Sequence, residues 1–215
     1  MININYEKMK KLYERIHKKL WAYLFSSNFK RFGKTSRILY PMDIQNAKYM
    51  EIGEGVRILK KAWLVALKID EHEPRLVIDD LSRLGNFNHI ASVRDVYIGK
   101  KVLTADKVYI SDNLHTYEDI SNPPIELPTK FHRSVSIGDE SWIGENVCII
   151  GANIGKHCVI GANSVVTKDI PDYSVAVGIP ARVIKQYNSS TKQWEKVDFN
   201  GKYVEQPKED LAENV

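Results

Sequence analysis

The sequence has little cysteine and no long apolar run, and both shortages restrict the classes of protein to which it can belong. Its 215 residues include 2 cysteines, Cys148 and Cys158, which are too few for a disulfide framework. No apolar run approaches the roughly 20 residues that a membrane-spanning helix needs. The first 20 residues are rich in lysine and lack the apolar core of a secretory signal. We therefore expect a globular protein of the reducing cytoplasm.

Positive charge is concentrated at the beginning of the chain. The whole sequence has a net charge of +4, whereas residues 1–37 contain 10 lysines and arginines against Glu7 and Glu14, a balance of +8. The remainder of the chain therefore carries a net charge of −4. A body with this charge lacks the basic face of a nucleic-acid-binding module, so we expect no nucleic-acid partner.

Residues 5–25 have the periodicity of an amphipathic helix. Apolar side chains recur every three or four residues and lysines occupy the other faces, the apolar set being Tyr6, Met9, Leu12, Tyr13, Ile16, Leu20 and Leu24. The pattern favours a helix that packs on its own domain or trimer. A basic amphipathic helix that contacts an anionic membrane surface is the less favoured alternative.

From about Glu51 onward the dominant period is six residues. Aliphatic side chains six apart include Ile78, Leu84 and Ile90, then Ile137, Ile143 and Ile149, then Ile154, Ile160 and Val166. Small or β-branched residues recur four positions later in each unit, as at Ser82, Val102, Ser141, Cys158 and Ser164. Neither an α-helix nor a flat strand has this period. A parallel β-helix with triangular coils does, because one aliphatic side chain per side fills the narrow prism, and glycine and asparagine suit its tight corners.

Two stretches interrupt the period, and the repeat ends before the chain does. Residues 60–75 are irregular, and residues 116–134 contain no repeat, so we expect the latter to form a loop extruded from a corner. The five-residue step from Ile149 to Ile154 predicts one shortened corner. Prolines after Val166 predict a cap that ends the coils. Residues 189–197 predict a hairpin whose Trp194 packs back on the body of the protein. Residues from about 201 read as a loose tail.

These features predict an all-β protein, a parallel β-helix with an N-terminal helix and a C-terminal cap. The predicted divisions are a basic helical segment over residues 1–37, the β-helix over 38–186 with its loop at 116–134, and a hairpin and tail over 187–215.

Residues 76–187 resemble the hexapeptide-repeat acyltransferases, in particular the galactoside and maltose O-acetyltransferases and the O-acetyltransferases of bacterial surface polysaccharides. The resemblance is carried by the repeat, the loop, the segment Trp142-Ile143-Gly144 and the end segments Thr167-Lys168 and Pro180-Ala181-Arg182. It implies that the β-helix is left-handed and that the protein is a homotrimer with active sites at its subunit interfaces. It also implies transfer of acetyl from acetyl-CoA to an acceptor, without a metal.

The resemblance makes His115 the candidate general base. Relatives often have Asp-His-X-His where this chain has Asp112-Asn113-Leu114-His115, so the first histidine is replaced by Asn113. Direct acetyl transfer needs one proton removed from the acceptor hydroxyl, and a neutral imidazole can accept it near neutral pH. A structural histidine is the alternative for His115.

For the acceptor, the resemblance implies Asn86 and Asn88, with Asp95 as a weaker candidate. Amide side chains can donate to and accept from sugar hydroxyls. The alternative is that these asparagines build corner turns. His89 and His132 are further candidates for assisting in the cleft, and a packed surface histidine fits His89 equally well.

For acetyl-CoA, the resemblance implies a groove between neighbouring β-helices. The residues at matching positions are Trp142, Glu145, Ala162, Thr167, Lys168, Arg182 and Lys185. Trp142 would lie near the pantetheine, although packing on the exterior is an alternative role for it. The cations among them suit the phosphates of the nucleotide end. We expect Cys148 and Cys158 to fill the coil and not to act as nucleophiles.

The sequence favours an acetyl-CoA-dependent O-acetyltransferase acting on a sugar hydroxyl in the biosynthesis of a bacterial surface polysaccharide, such as O-antigen, capsule or exopolysaccharide. An N-acetyltransferase acting on an amino sugar, free or nucleotide-linked, fits the same base and co-substrate. A non-catalytic β-helix scaffold is the alternative from another class. A γ-class carbonic anhydrase needs three histidine ligands at a spacing that this chain lacks.

Overall fold

The computed structural model describes residues 5–198 and 201–204. Within these ranges there is one α-helix, α1 (Tyr6–Phe25), and two short 3-10 helices, Ser26–Asn28 and Ala47–Tyr49. The strands are, in chain order, β1 (Arg31–Phe32), β2 (Arg37–Ile38), β3 (Asp43–Gln45), β4 (Met50–Ile52), β5 (Arg57–Ile58), β6 (Trp63–Ala66), β7 (Arg75–Ile78), β8 (Arg83–Leu84), β9 (His89–Ser92), β10 (Asp95–Ile98), β11 (Leu103–Thr104), β12 (Tyr109–Ser111), β13 (Asn113–His115), β14 (Thr129–Phe131), β15 (Val135–Ile137), β16 (Trp142–Ile143), β17 (Cys148–Ile150), β18 (Val159–Ile160), β19 (Val165–Val166), β20 (Ser174–Gly178), β21 (Ala181–Asn188) and β22 (Gln193–Lys196).

Three sheets, called A, B and C here, form the body of the molecule. Sheet A has the order β1-β4-β7-β10-β15, sheet B the order β2-β5-β8-β11-β16-β18-β20-β21-β22, and sheet C the order β19-β17-β12-β9-β6-β3. The chain enters A, B and C in turn, and each strand pairs in parallel with the strand one coil later. The described residues complete six such coils and begin a seventh at Ile170, which bridges to Ile154. The expected all-β architecture of parallel sheets is confirmed.

The six-residue period corresponds to the filling of the prism. The aliphatic residues of the repeat are buried, and Ile78, Ile90, Ile137, Ile149 and Ile160 are each 0% exposed. The small residues of the repeat are buried as well, Ser82 and Ser164 also being 0% exposed. Each fully buried isoleucine stabilises the fold by about 1.5 to 3 kcal/mol, so stacked identical coils supply a continuous core.

Glycine and asparagine take only part of the corner role that we expected for them, at Gly55, Gly151, Asn146 and Asn163, which have positive φ. The corner residues with left-handed backbone are mostly not glycine, for example Lys61 at φ 62°, Leu81 at φ 64° and Phe87 at φ 57°. Their N–H groups donate to the coil before, as Leu81 does to the carbonyl of Glu54 at 2.8 Å. Glycine is needed where one coil closely approaches the next, since a Cβ at Gly138 would lie 2.5 Å from the amide nitrogen of Lys156.

The prism begins earlier than the predicted boundary at residue 38. Strand β1 already pairs with β4, and Phe32 aligns with Ile52. The first coil escaped the sequence pattern because an aromatic residue takes the place of its first aliphatic one.

Helix α1 confirms the predicted N-terminal helix, and only part of it contacts the prism. Near its end, Trp21 packs on Phe29 and Phe32, with ring centroids 6.2 Å and 6.0 Å apart. The predicted apolar face is exposed in the single chain, from 47% at Leu12 to 72% at Tyr6. No helix among the described residues is long and apolar enough to span a membrane.

The C-terminal cap is an antiparallel extension of sheet B. Strand β21 pairs with β20 and with β22, which confirms the predicted hairpin, and Trp194 packs on Tyr187 at 5.8 Å between ring centroids. The predicted boundary between residues 186 and 187 falls inside β21, so the strand runs without a break from the cap into the hairpin. Most of the predicted tail, residues 205–215, lies outside the described residues.

Both irregular stretches leave the prism where sheet C passes to sheet A, a line of corners called the C–A edge here. Residues 67–74 form the shorter departure, between β6 and β7. The longer one, residues 112–134, forms an arm in which β13 and β14 pair antiparallel. The predicted loop is therefore at a corner as expected, and its two ends are ordered as a hairpin.

Candidate functional site

His115 is carried by the arm. It is the last residue of β13, lies opposite Thr129 in β14, and has an exposed side chain. An ion pair between Lys130 and Glu118 joins the two sides of the arm just beyond this point, and it lowers the pKa of Glu118 to about 2. The hairpin thus holds an accessible imidazole away from the prism.

Asp112 fixes the root of the arm. Its carboxylate is fully buried and accepts hydrogen bonds from the backbone N–H groups of Val93, Arg94 and Asp95, each at 2.8 Å. Its carbonyl accepts the N–H of His132 on the returning strand at 2.8 Å. One residue therefore ties both strands of the arm to the preceding coil.

Asn113, which replaces the first histidine of the related motif, braces the same root. Its side-chain amide donates to Asp112 Oδ1 at 3.1 Å. The Arg94 guanidinium lies 4.6 Å from the ring centroid of Phe131 and donates to Asp70 at 2.7 Å. This contact with Arg94 is the main reason that the pKa of Asp70 is lowered to about 2. Asn113 therefore has a structural role at the root of the arm. His115 is the accessible histidine of the motif.

The three candidates for acceptor binding are in different environments. Asn88 is fully buried, donates to the carbonyl of Ala105 at 3.0 Å and accepts the Thr104 hydroxyl at 3.0 Å. A buried, satisfied amide cannot reach an acceptor, so the assignment of Asn88 is wrong. Asn86 is half-buried and bound to Asp106, in line with the turn-building alternative. Asp95 forms an ion pair with Arg75 at 3.1 Å.

The outward side chains of sheet B form one row in register across seven coils. In order they are Arg37, Arg57, Arg83, Leu103, Trp142, Val159 and Val175. Trp142 is 51% exposed, so it lies on the flat outer face and not in the core. The first three coils of this face are basic, and the last four are apolar.

Two further candidates for acetyl-CoA binding follow sheet B, at the corners leading to sheet C. Glu145 forms an ion pair with Lys107 at 3.2 Å, and Ala162 is exposed one coil later. Asn146 and Asn163 connect these two corners by a side-chain hydrogen bond of 2.9 Å.

A cavity of about 320 Å³ brings Lys168 and Arg182 together beneath the cap. Asp169, Gln186 and Asp198 also line it. Thr167 precedes Lys168 at the C–A edge and is exposed, and Lys185 is exposed on β21.

The predicted site residues are therefore divided between two sides of the prism. His115, Thr167 and Lys168 lie on the C–A edge, whereas Trp142 lies on sheet B. In a triangular prism each edge faces away from the opposite side, and sheet B is opposite the C–A edge. A single chain therefore separates His115 from Trp142, although Lys168 and Arg182 meet beneath the cap.

The other histidines and the cysteines are also placed. His89 stacks on Trp63 with ring centroids 4.2 Å apart and contacts the tilted ring of Tyr109 at 5.1 Å on sheet C, and burial lowers its pKa. His132 is exposed at the arm root, above Gly151. Cys158 fills the coil as expected and its pKa is raised by burial, whereas Cys148 lies half-buried on the outer face of sheet C, contrary to expectation.

Sequence reasoning missed Asp112 as the anchor of the arm and the two arginines Arg57 and Arg83 in the row of Trp142. Asp112 could have been found from its position at the last repeat before the loop. The two arginines could have been found because each comes one residue before an aliphatic residue of the repeat, Ile58 or Leu84. No group of three or more histidine, cysteine, aspartate or glutamate residues in the described ranges could hold a metal ion.

Comparisons with known proteins agree with this architecture. The family model described as hexapeptide repeat of succinyl-transferase matches residues 134–168. The WbbJ protein of Escherichia coli K12, named for lipopolysaccharide biosynthesis O-acetyl transfer, is 36% identical over 174 residues, or 77% of this chain and 86% of that protein.

Two solved structures have the same fold. A maltose O-acetyltransferase from Clostridium difficile 630 has a TM-score of 0.52 and 28% identity over 83% of this chain and 88% of its own. A variant of AntD, an N-acyltransferase from Bacillus cereus solved with dTDP and coenzyme A, has a TM-score of 0.64 over 79% of this chain and 90% of its own. Its sequence identity is 18%, so the similarity is one of fold. The repeat, the arm, the cap and the extent of the match to WbbJ together place the chain in the hexapeptide-repeat acyltransferases, a family of enzymes.

Proposed function

We propose that the protein is an acetyl-CoA-dependent O-acetyltransferase that acts on a sugar hydroxyl during the synthesis of a bacterial surface polysaccharide. The observation that carries the proposal is the accessible imidazole of His115, held on an ordered arm in a chain that matches WbbJ over most of its length. The polysaccharide assignment follows the name of that relative.

In the proposed mechanism His115 acts as a general base. The neutral imidazole accepts the proton of the acceptor hydroxyl while the hydroxyl oxygen attacks the thioester carbonyl carbon. The tetrahedral intermediate then collapses, the carbon–sulfur bond breaks, and the imidazolium returns its proton to the departing CoA thiolate. No covalent enzyme intermediate is needed.

We further propose a homotrimer in which the arm of one protomer meets sheet B of its neighbour. Two nearly fully exposed isoleucines near the end of the arm, Ile120 at 98% and Ile125 at 91%, support this arrangement, as does the exposed apolar face of α1. A subunit interface would cover apolar surface of this kind. The trimer would join His115 and Lys168 of one protomer to Trp142 and Ala162 of the next.

In this arrangement acetyl-CoA lies between protomers. Its pantetheine would run along Trp142 and Ala162, and its phosphates would meet Lys168 and Arg182 at the cavity beneath the cap. Thr167, Glu145 and Lys185 are assigned weaker contacts, since Glu145 is engaged by Lys107. Asn86 and Asp95 are retained for the acceptor. We assign the coils the left-handed sense of the family and the protein to the cytoplasm, where its two free cysteines would remain reduced.

The second candidate is N-acetylation of an amino sugar, which the likeness in fold to AntD favours. The two reactions are separated by treating the product with mild alkali and measuring its mass. An ester is cleaved and loses acetyl, whereas an amide persists. Release of CoA with no alkali-labile product would contradict O-acetylation.

A further inference from the structure

Sheet B carries two arginines, Arg57 and Arg83, that none of the described residues neutralises. Arg57 and Arg83 are directly opposite each other on neighbouring strands, and both side chains are exposed. Within the described ranges, neither side chain takes part in an ion pair or a hydrogen bond. Like charges in register on adjacent strands repel each other, so an anion that contacts both arginines would stabilise this pairing.

Two carboxylates at the corners beside sheet B, Glu54 and Asp106, are already engaged by other groups. Glu54 accepts the N–H groups of Lys34 and Thr35, which lower its pKa. Asp106 accepts the amide of Asn86 on the other border of the sheet. A group that neutralises Arg57 and Arg83 would therefore come from outside the described residues.

The row that contains these arginines also contains Trp142. Arg83 is opposite Leu103, which is opposite Trp142. Strands lie about 4.8 Å apart, so the backbone of Arg83 is about 10 Å and that of Arg57 about 14 Å from that of Trp142. If the pantetheine lies on Trp142, the acceptor occupies the next coils toward the N-terminal end.

From this row we propose that Arg57 and Arg83 bind a phosphate or diphosphate group on the acceptor. The inference rests on the proposed function, and it narrows the acceptor to a sugar carried as a phosphate ester. Two arginines on successive coils present guanidinium groups that suit phosphate oxygens. Such a group occurs in nucleotide sugars and in lipid-linked sugar diphosphates, and both sources share the chemistry that the row recognises.

The test compares one sugar in three forms: the free methyl glycoside, the nucleoside diphosphate ester and a short-chain prenyl diphosphate ester. The wild type, Arg57→Gln, Arg83→Gln and the double variant are assayed for CoA release, with Arg31→Gln on sheet A as the matched control. We expect the double variant to lose about 100-fold in kcat/KM toward a phosphate ester and each single variant about tenfold. The methyl glycoside and the control variant should show no comparable loss.

Comparison of the two phosphate esters identifies whether the acceptor is carried by a nucleotide or by a lipid. The preferred carrier is the one for which the wild type has the higher kcat/KM. Binding is tested separately by titrating inorganic pyrophosphate into protein saturated with CoA, which occupies the other phosphate site. The wild type should gain thermal stability and the double variant should not. Arg57→Lys should retain part of the effect.

Three outcomes would overturn the inference. They are equal turnover of all three forms by the wild type, an equal loss on every form in the double variant, or dissociation of the assembly in that variant, which would assign the arginines to a subunit contact. Absence of CoA release with every acceptor would instead contradict the proposed function.

Discussion

Two outer faces of the prism carry charge in opposite ways. On sheet A the charges alternate in sign and neutralise each other: Arg75 contacts Asp95 at 3.1 Å and Glu51 at 3.7 Å, and Lys30 contacts Glu51 at 3.2 Å. On sheet B the arginines of successive coils are in register with one another. The charges of sheet A therefore pair with one another, whereas Arg57 and Arg83 of sheet B have no ionic partner among the described residues.

The same contrast separates sheet B from the C–A edge opposite it. The edge holds the arm and His115, and its polar groups are fixed by the buried carboxylate of Asp112. Sheet B offers the exposed Trp142 together with Arg57 and Arg83, which form no ion pair within the described ranges. Each side supplies what the other lacks, which is why we infer a site formed by both.

The largest effect should come from removing the base of the edge. His115→Ala should lower kcat at least about 100-fold, the usual scale for losing a general base, while the assembly stays intact. His132→Ala, on the same arm, is the matched control and should change kcat little. A His115→Ala protein with near wild-type turnover in the steady-state assay would remove this residue from the mechanism.

The second effect concerns the stability that Asp112 gives to the C–A edge. In Asp112→Asn an NH₂ group replaces one of two carboxylate oxygens, each of which accepts at least two hydrogen bonds. The free energy of unfolding should therefore fall by about 2 kcal/mol. Asp106→Asn, at a half-exposed corner beside sheet B, should cost less because water can replace the lost acceptor. Urea unfolding of the two variants checks this order, and equal losses would contradict it.

The third effect concerns the cavity beneath the cap. Lys168→Gln and Arg182→Gln should each raise KM for acetyl-CoA about tenfold and leave kcat nearly unchanged, because they would hold phosphates far from the reacting carbonyl. Lys192→Gln, in the turn between β21 and β22, is the control. A fall in kcat at unchanged KM would argue against a binding role for the two cations.

The smallest effect concerns sheet C, the face that carries neither half of the proposed site. Burial lowers the pKa of His89 in the folded chain, so the unfolded chain binds the proton more readily. The contribution of His89 is therefore present above its unfolded pKa, about 6.5, and is lost as the pH falls below it. Melting temperatures between pH 7 and pH 5 should fall more for the wild type than for His89→Phe, and parallel curves would contradict this.

The sequence was sufficient to predict the prism but not the placement of the site. The period of Ile78, Leu84 and Ile90 reflects one buried side chain for each side of a coil, so the fold follows from repetition. The burial of Asn88 could not be predicted, because asparagine occurs both at exposed corners and, when satisfied by groups such as Thr104, inside the coil. The row from Arg57 to Trp142 was also hidden, since the arm and the irregular corners separate its members by unequal numbers of residues.

The division of the site between protomers is tested most directly by complementation. His115→Ala inactivates the edge and Trp142→Glu inactivates the face of sheet B, and each variant alone should be nearly inactive. When the two are co-expressed in equal amounts, random trimers should regain about one quarter of the wild-type activity, because a site formed by two protomers then receives two intact halves at that frequency. Activity in the mixture equal to the mean of the two separate variants would contradict a shared site.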